Sequence, residues 1–268
     1  TTENWTVVGR GGGTSLAAGA VPPPASIVLS TQRLNHGPHI SSPDLEAVCG
    51  AGVTTEELQL KATQVGLFYP PDPSSQSVTM LGGNVATNAG GPHALKYGVT
   101  RDYILKLEVA LSSGQLLRME RGTGSESLLD LFVGSEGTLG IVTGLTVRLL
   151  PMPVSSITVA AHFVGAKAAA QVAIELLKQG LIPSRLEFMD TVSIRAVQTA
   201  KDRNLAGVGA VLLAEFDGEE QVVRDDVAKG LEIINTLGAT NIEIAETGHD
   251  IARVWEPRGA ITSSLARI

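Results

Sequence analysis

The chain has 268 residues, 43% of them hydrophobic, which is enough for one large or two ordinary globular domains. Its net charge of −7 and its lack of a basic run argue against nucleic acid or an anionic membrane as the main partner. The single cysteine, Cys49, excludes an internal disulfide and is expected to be buried. No apolar run is long enough to span a membrane and no signal peptide is visible. We therefore expect a cytoplasmic protein, and association with the inner face of a membrane stays open.

The first glycine region is the most informative stretch. Here the apolar segment Val7-Val8 is followed by Gly9-Arg10-Gly11-Gly12-Gly13-Thr14-Ser15. Glycine has no Cβ and can take a positive φ, so successive backbone N–H groups can point at one anion. The sequence excludes two familiar phosphate-binding loops. No window fits G-x-G-x-x-G, the dinucleotide-binding motif, and the Gly-Lys dipeptide of a P-loop does not occur. A glycine-rich surface turn is the alternative.

The elements before residue 150 are predicted from local patterns. Buried strands are expected at 26–30 and 45–49, and a helix from the N-cap Thr54 to about Val65, closed by Gly66. The loop with His36 and His39 lacks a third metal ligand, so we expect no metal there. Prolines at positions 70, 71 and 73 indicate a stiff turn. A hairpin is expected from strands at 104–111 and 116–119, and a further strand at 142–149.

Two more glycine regions occupy this half, at residues 82–91 and 134–140. The composition of the second region is poor for a core helix and good for chain that lies against a ligand. Three separate glycine regions that meet at one ligand would suit a long cofactor of several parts. Three independent turns are the alternative.

A composition break at Leu150-Pro151-Met152-Pro153 predicts a domain boundary. Beyond this boundary, predicted strands alternate with predicted helices. Strands are predicted at 157–163, 185–189, 208–216 and 241–246, and helices at 166–178, 191–199 and 219–237. These elements indicate an antiparallel sheet with helices.

Several motifs carry a resemblance to a known family. In order they are Arg10-Gly11-Gly12-Gly13-Thr14-Ser15-Leu16, Pro71-Asp72-Pro73-Ser74-Ser75, Gly82-Gly83-Asn84-Val85-Ala86-Thr87-Asn88-Ala89-Gly90-Gly91, Lys96-Tyr97-Gly98 and Gly134-Ser135-Glu136-Gly137-Thr138-Leu139-Gly140. This order closely resembles the FAD-linked oxidases of the vanillyl-alcohol oxidase / p-cresol methylhydroxylase (PCMH) superfamily. Within it, the chain is most similar to the D-2-hydroxyacid dehydrogenases typified by the glycolate oxidase D subunit and D-lactate dehydrogenase.

The resemblance implies an α+β fold that is truncated at both ends. Residues 1–150 would form a two-subdomain PCMH-type FAD-binding domain that lacks its N-terminal part. Residues 151–268 would form an antiparallel-sheet-plus-helices cap, or substrate, domain that lacks its C-terminal part.

The same resemblance implies a set of cofactor-binding residues for non-covalent FAD. Asp72 and Ser75 are expected to stabilise a turn close to the cofactor, and His93 is the candidate if FAD were covalently attached. The implied cofactor-binding residues are Arg10, Gly11, Gly12, Gly13, Thr14, Ser15, Pro71, Gly82, Gly83, Thr87, Asn88, Gly90, Gly91, Tyr97, Gly98, Gly137, Gly140, Ile141 and Val142.

A substrate site is expected in the second half. Arg258 and Thr262 lie four residues apart and would share one face if the segment after Pro257 is helical. A guanidinium and a hydroxyl suit a carboxylate. The segment resembles the family's Trp-x-x-Arg element, which holds the carboxylate of a 2-hydroxy acid. Pro257 departs from that element and is interpreted as a first helical residue.

The resemblance implies oxidation of a D-lactate-, glycolate- or D-2-hydroxyglutarate-type acid to its 2-oxo acid by hydride transfer to flavin N5. The catalytic base and a divalent-metal site would lie outside these residues, and His162 and His249 are expected to be structural. Electrons would pass to a quinone, an electron-transfer flavoprotein or an iron–sulfur subunit, in a possible hetero-complex. The alternatives are a non-catalytic FAD-binding subunit and a nicotinamide-dependent reductase.

Overall fold

The computed structural model describes residues 5–122, 127–201, 208–261 and 264, and it divides into two compact units, 1–152 and 153–268. We call these the N-terminal unit and the C-terminal unit. The N-terminal unit contains β1 (Val7–Arg10), β2 (Ile27–Ser30), β3 (His39–Ser41), β4 (Glu46–Gly50), α1 (Thr55–Thr63), β5 (Leu67–Phe68), α2 (Leu81–Thr87), α3 (Ala94–Tyr97), α4 (Thr100–Tyr103), β6 (Ile104–Ala110), β7 (Leu116–Glu120), α5 (Leu128–Phe132), β8 (Ile141–Arg148) and β9 (Leu150–Pro151).

A five-stranded antiparallel sheet of order β3-β4-β8-β6-β7 forms the centre of the N-terminal unit. Its register places Leu145 of β8 between Cys49 of β4 and Leu107 of β6, and all three side chains are buried. The helix α1 joins this core through Leu58. It begins where Thr54 Oγ1 accepts the Glu57 N–H at 3.2 Å, which confirms the predicted N-cap.

The second glycine region folds differently from the sequence prediction. It was expected to be poor helix-forming chain, yet residues 81–87 form α2, and Leu81, Asn84 and Val85 are buried in the core. The reason is close packing, since a Cβ on Gly82 would lie 2.6 Å from Ala51 Cβ. Glycine therefore lets this helix approach the chain that follows β4, and the lower helix propensity of glycine is outweighed by that packing.

The strands β1 and β2 form a separate parallel pair, in which Val8 lies opposite Val28. The strand expected at 26–30 is present, but the expectation that it is buried is wrong: Ile27 is 46% exposed, and Val28 and Leu29 are each 42% exposed. Within the described residues, β2 pairs with β1 alone, so both faces of this two-stranded sheet keep exposed side chains.

The C-terminal unit is an antiparallel sheet with helices, as predicted, and the structure places helices on both faces of the sheet. Its strands are ordered β11-β12-β10-β13, and each neighbouring pair is antiparallel. The helices α6 and α8 pack on one face of this sheet, and α7 and α9 pack on the other. The elements are β10 (Ser155–Phe163), α6 (Ala166–Lys178), β11 (Arg185–Asp190), α7 (Thr191–Lys201), β12 (Ala210–Gly218), α8 (Glu220–Thr236), β13 (Asn241–Ala245) and α9 (Gly248–Gly259).

The helix α9 corrects one sequence expectation. Its N-cap is Thr247, whose Oγ1 accepts the Asp250 N–H at 3.2 Å, and Pro257 lies inside its last turn instead of starting a helix. A proline so near the C-terminus of a helix removes one backbone hydrogen bond and leaves the earlier turns intact. Pro257 is also buried, so its ring contributes packing.

None of the described helices is long and apolar enough to cross a bilayer.

Candidate cofactor and substrate sites

The first glycine region is held by contacts that only glycine permits. A Cβ on Gly12 would lie 2.2 Å from the carbonyl oxygen of Val78, and Gly13 has a φ of +68°. Among the described residues, none accepts a hydrogen bond from the backbone N–H of Gly12, Gly13, Thr14 or Ser15. This leaves four successive donors for a ligand, the arrangement that binds anions at glycine-rich turns.

These donors line a cavity of about 430 Å³ in the N-terminal unit, which we call the glycine cavity. The second glycine region lines it through the exposed side of α2 and the turn that follows. Its described lining residues are Gly9, Gly11, Gly12, Gly13, Thr14, Ser15, Leu16, Gly19, Ala20, Pro73, Ser75, Thr79, Gly83, Asn84, Ala86, Thr87, Asn88, Ala89, Gly90 and Glu136. The structure thus brings together nine of the predicted cofactor residues: Gly11, Gly12, Gly13, Thr14, Ser15, Gly83, Thr87, Asn88 and Gly90.

A chain of polar side chains, buried except for Thr14, connects the two glycine regions. Thr14 Oγ1 lies 3.3 Å from Thr79 Oγ1, which donates to Asn84 Oδ1 at 2.9 Å. The Asn84 amide in turn donates to Thr55 Oγ1 at 2.6 Å. Asn84 is 2% exposed and all its described polar atoms are paired, so the network fixes α2 against the first region. Sequence reasoning missed Thr79 and Asn84, although an amide on the buried face of a helix is a usable signal.

The third glycine region reaches the cavity through Glu136. The N–H groups of Gly134 and Glu136 donate to the carbonyls of Val85 at 2.9 Å and Ala86 at 2.7 Å, which attaches this turn to the end of α2. Glu136 has a φ of +51°, an uncommon backbone conformation for a non-glycine residue. The three regions therefore lie together, and the alternative of three independent turns is excluded.

Ten predicted cofactor residues are absent from the described lining of the cavity, and several have packing roles instead. A Cβ on Gly91 would lie 2.1 Å from Asp72 Oδ1, and one on Gly98 would lie 2.3 Å from Asp102 Oδ2. Gly140 packs against Val109 in the same way. The ten residues are Arg10, Pro71, Gly82, Gly91, Tyr97, Gly98, Gly137, Gly140, Ile141 and Val142.

Two of these ten nevertheless touch the first glycine region. The Arg10 guanidinium lies over Gly13, where its Nη2 would be 2.8 Å from an added Cβ. The side chain of Ile141 packs against Gly9, with Cγ1 at 3.4 Å from the position of a Cβ there. Both side chains therefore pack against glycines of the first region.

Asp72 and His93 join the proline turn to the chain after the second glycine region. The Asp72 carboxylate accepts the His93 N–H at 3.1 Å and lies 2.6 Å from His93 Nδ1, with both side chains about one-eighth exposed. Phe68 and Tyr97 contact the imidazole ring edge to face. The pair fixes Pro73 and Ser75 relative to Ala89 and Gly90, and all four line the cavity.

The C-terminal unit carries a set of polar side chains between its sheet and α9. We call Thr158, Arg185, Glu187, Glu215, Trp255 and Arg258 the C-terminal polar cluster. Glu215 is 4% exposed, and its Oε2 accepts hydrogen bonds from Thr158 Oγ1 at 2.7 Å, Arg185 Nη2 at 2.5 Å and Trp255 Nε1 at 2.8 Å. The Arg185 guanidinium also stacks on the Trp255 ring at 4.4 Å.

Arg258, the predicted carboxylate ligand, lies at the edge of this cluster. Its Nε donates to Glu187 Oε2 at 2.8 Å, and the two side chains are 26% and 24% exposed. Thr262, the second predicted substrate residue, lies outside the described residues. The proposed pair of Arg258 and Thr262 is therefore represented by the arginine alone.

Three titratable groups away from these sites, Cys49, Tyr69 and His162, have pKa values shifted by burial. Burial raises the pKa of the Cys49 thiol to about 12, and it also raises the pKa of Tyr69. Burial lowers the pKa of His162 in β10, against a smaller opposite effect from Glu243. In the described part of the chain, no three His, Cys, Asp or Glu side chains cluster as metal ligands.

The fold and the glycine cavity define an α+β protein with a main-chain site whose N–H donors suit an anion, together with a separate sheet-and-helix unit. Family models agree with this division: residues 1–120 match an FAD binding domain, and residues 152–268 match the C-terminal domain of FAD linked oxidases. The chain belongs to the FAD-linked oxidases. The N–H groups of residues 12–15, which have no acceptor among the described residues, and the close approach at Gly12 fit the pyrophosphate of FAD, the cofactor of this family.

Curated relatives support the same assignment, and a solved structure shares the fold. The chain is 38% identical to the glycolate oxidase subunit GlcD of Bacillus subtilis over 98% of its length, and 36% identical to a D-lactate dehydrogenase of Archaeoglobus fulgidus over 96%. It spans 57% and 58% of the length of these two relatives. An alkyldihydroxyacetonephosphate synthase structure, 21% identical, shares the fold with a TM-score of 0.78 over 95% of this chain and 50% of its own.

Proposed function

We propose that the protein containing this chain oxidises a small 2-hydroxy acid to the 2-oxo acid with non-covalently bound FAD. The observation that carries the proposal is that one chain holds both a glycine cavity lined by main-chain N–H donors and, in its other unit, a half-buried arginine whose terminal N–H groups have no acceptor among the described residues. Relatives named glycolate oxidase subunit and D-lactate dehydrogenase are similar over nearly the whole chain. These names support the substrate class.

In this proposal, the N-terminal unit is the FAD-binding domain and the C-terminal unit is the substrate domain. Bound FAD would supply the acceptor for the hydride that leaves the α-carbon. The backbone N–H groups of Gly12, Gly13, Thr14 and Ser15 would hold the pyrophosphate, with Gly83, Thr87, Asn88 and Gly90 along the rest of the cofactor. The ten predicted cofactor residues that do not line the cavity would act through packing behind the lining residues.

Arg258 would bind the substrate carboxylate through its terminal N–H groups, and Thr262 would add a hydroxyl donor. A guanidinium pairs with a carboxylate through two parallel hydrogen bonds, which fixes the direction of the α-carbon as well as the affinity. The electrons would then leave to a separate acceptor. We propose a hetero-complex, because one of the most similar relatives carries the name of an oxidase subunit.

The test uses the complete gene product that contains this chain. Its visible spectrum is recorded anaerobically before and after addition of D-lactate, glycolate or D-2-hydroxyglutarate. We expect a yellow protein whose flavin band is bleached by one of these acids. A yellow protein that none of them bleaches would contradict the proposed activity and favour a non-catalytic FAD subunit. A colourless protein that does not take up added FAD would contradict the cofactor site itself.

A further inference from the structure

Glu187 is the described side chain that holds Arg258. It lies on β11, two residues after Arg185 and two before Met189, so these three side chains share the sheet face against which α9 packs. Arg258 is in the last turn of α9, 71 residues further along the chain, and its Nε–H bonds to Glu187 Oε2 at 2.8 Å. The pair therefore connects a strand of the sheet to the end of a helix.

The contact uses one particular edge of the guanidinium. Arginine has five N–H donors in a planar fork, and Glu187 takes the one on Nε. Within the described residues, no acceptor pairs with Nη1 or Nη2 of Arg258. The end of the fork, which matches the spacing of two carboxylate oxygens, is thus left for a ligand.

The neighbouring groups do not compete for Arg258. The other carboxylate of the cluster, Glu215, is occupied by Thr158, Arg185 and Trp255. Trp255 lies one helical turn before Arg258, so Glu215 fixes the position of α9 while Glu187 fixes the direction of the guanidinium. An arginine in this setting loses less rotational freedom when a ligand binds, and this strengthens binding without a new contact.

We propose that Glu187 is the positioning residue for the carboxylate-binding Arg258, an inference that rests on the proposed function. Glu187 neutralises the charge of the arginine, so it does not increase the attraction for an anion. Its contribution is orientation: it pins the guanidinium plane through Nε and presents the two terminal nitrogens to the substrate carboxylate. The acid is then bound end-on by Arg258.

The experiment compares Glu187→Ala and Glu187→Gln in the complete gene product. Glutamine keeps an acceptor oxygen but removes the charge, so the two variants separate orientation from electrostatics. We expect Glu187→Ala to raise the KM for the hydroxy acid about tenfold with kcat changed by less than about threefold, the pattern of lost ground-state binding. Glu187→Gln should recover most of that loss.

The matched control is Glu243→Ala. Among the described residues, Glu243 forms the other ion pair between the sheet and α9, with Arg253, and the two side chains are 40% and 50% exposed. This control should leave the KM unchanged. An unchanged KM in Glu187→Ala, an equal rise in Glu243→Ala, or a KM in Glu187→Gln as high as that in Glu187→Ala would each overturn the proposal.

Calorimetric binding of pyruvate, an unreactive 2-oxo acid, gives a readout that does not depend on turnover. If no hydroxy acid bleaches the flavin but pyruvate binds and Glu187→Ala weakens its binding about tenfold, the positioning role stands and the proposed oxidation fails. If the wild type oxidises a hydroxy acid and Arg258→Ala leaves its KM unchanged, the oxidation stands and the positioning role fails. If pyruvate binding is absent in the wild type or unaffected by Glu187→Ala, the positioning role fails as well.

Discussion

The glycine cavity and the C-terminal polar cluster are two ways of building a site. The cavity is formed mostly by main chain, and its shape depends on side chains that are missing: a single Cβ at Gly12 would lie 2.2 Å from a backbone oxygen. The cluster is formed by side chains from three strands and one helix, paired through charges and ring contacts. The first kind of site is damaged by adding atoms, and the second by removing them.

The largest effect is expected from removing the centre of the polar cluster. Glu215→Ala would leave the Arg185 guanidinium, whose side chain is 21% exposed, without its carboxylate partner, and Thr158 and Trp255 without their acceptor. We expect a loss of about 3–5 kcal/mol in the free energy of unfolding, because breaking a buried pair leaves the partner charge uncompensated. Urea unfolding followed by the fluorescence of Trp255, in a Trp5→Phe background, measures this.

The control for this prediction is Glu243→Ala, which breaks an exposed pair in the same unit and should cost about 0–1 kcal/mol. Glu215→Gln keeps one acceptor oxygen and should fall between the two. Equal losses for Glu215→Ala and Glu243→Ala would mean that the cluster is held by packing alone, and the contrast between the two sites would disappear.

The second-largest effect is expected when one methyl group is added to the glycine cavity. Gly12→Ala must displace the backbone at Val78, so we expect a loss of about 1–3 kcal/mol in stability together with loss of FAD. Gly83→Ala has open space within 4 Å and lies in α2, where alanine favours the helix by up to about 1 kcal/mol. FAD affinity and thermal melting should therefore both fall in Gly12→Ala, whereas Gly83→Ala should lose affinity without loss of melting temperature.

Flavin fluorescence on titration of the apoprotein measures the affinity in both variants. A Gly83→Ala protein that binds FAD as tightly as the wild type would show that the cofactor does not contact α2. In that case the cavity would still be an anion site, but the second glycine region would be structural only.

The same contrast explains which features could be predicted from the sequence. The strands and helices of the C-terminal unit follow from apolar periodicity, and the convergence of the glycine regions follows from residues whose chemistry is local. The helix α2 was missed because its stability comes from packing against Ala51, which lies 31 positions before Gly82. The exposure of β2 was missed because an apolar segment predicts a strand but does not show whether other residues pack against it.

The polar cluster shows the limit most directly. Arg258 was found through a resemblance, but its partner Glu187 depends on the strand register and on where α9 packs, and neither is encoded near the arginine. Likewise, Thr79 and Asn84 became part of the site only once the fold had placed them beside Thr14. Side-chain sites assembled from distant positions need the tertiary structure.

The smallest effect is expected in the five-stranded sheet against which α2 packs, and the alkylation rate of Cys49 in β4 measures it. Burial raises its pKa to about 12, so its reactive thiolate should be scarce at neutral pH. The rate of alkylation by iodoacetamide, measured by mass spectrometry, should be low and should keep rising about tenfold per pH unit from pH 7 to about 10, without the plateau that an ordinary thiol shows above a pKa of about 8.5.

Protein unfolded in guanidinium chloride is the control and should be alkylated rapidly. A plateau near pH 9 in the folded protein would mean that the thiol reacts through an opened sheet and that its pKa is ordinary.

Because the carbonyl of Ala51, two residues after Cys49, accepts the Gly82 N–H at 2.9 Å, the same assay also follows the attachment of α2 to the sheet. Unchanged alkylation in Gly12→Ala would confine the damage to the first glycine region, whereas faster alkylation would show that the main-chain site and the sheet beneath it fold as one cooperative structure.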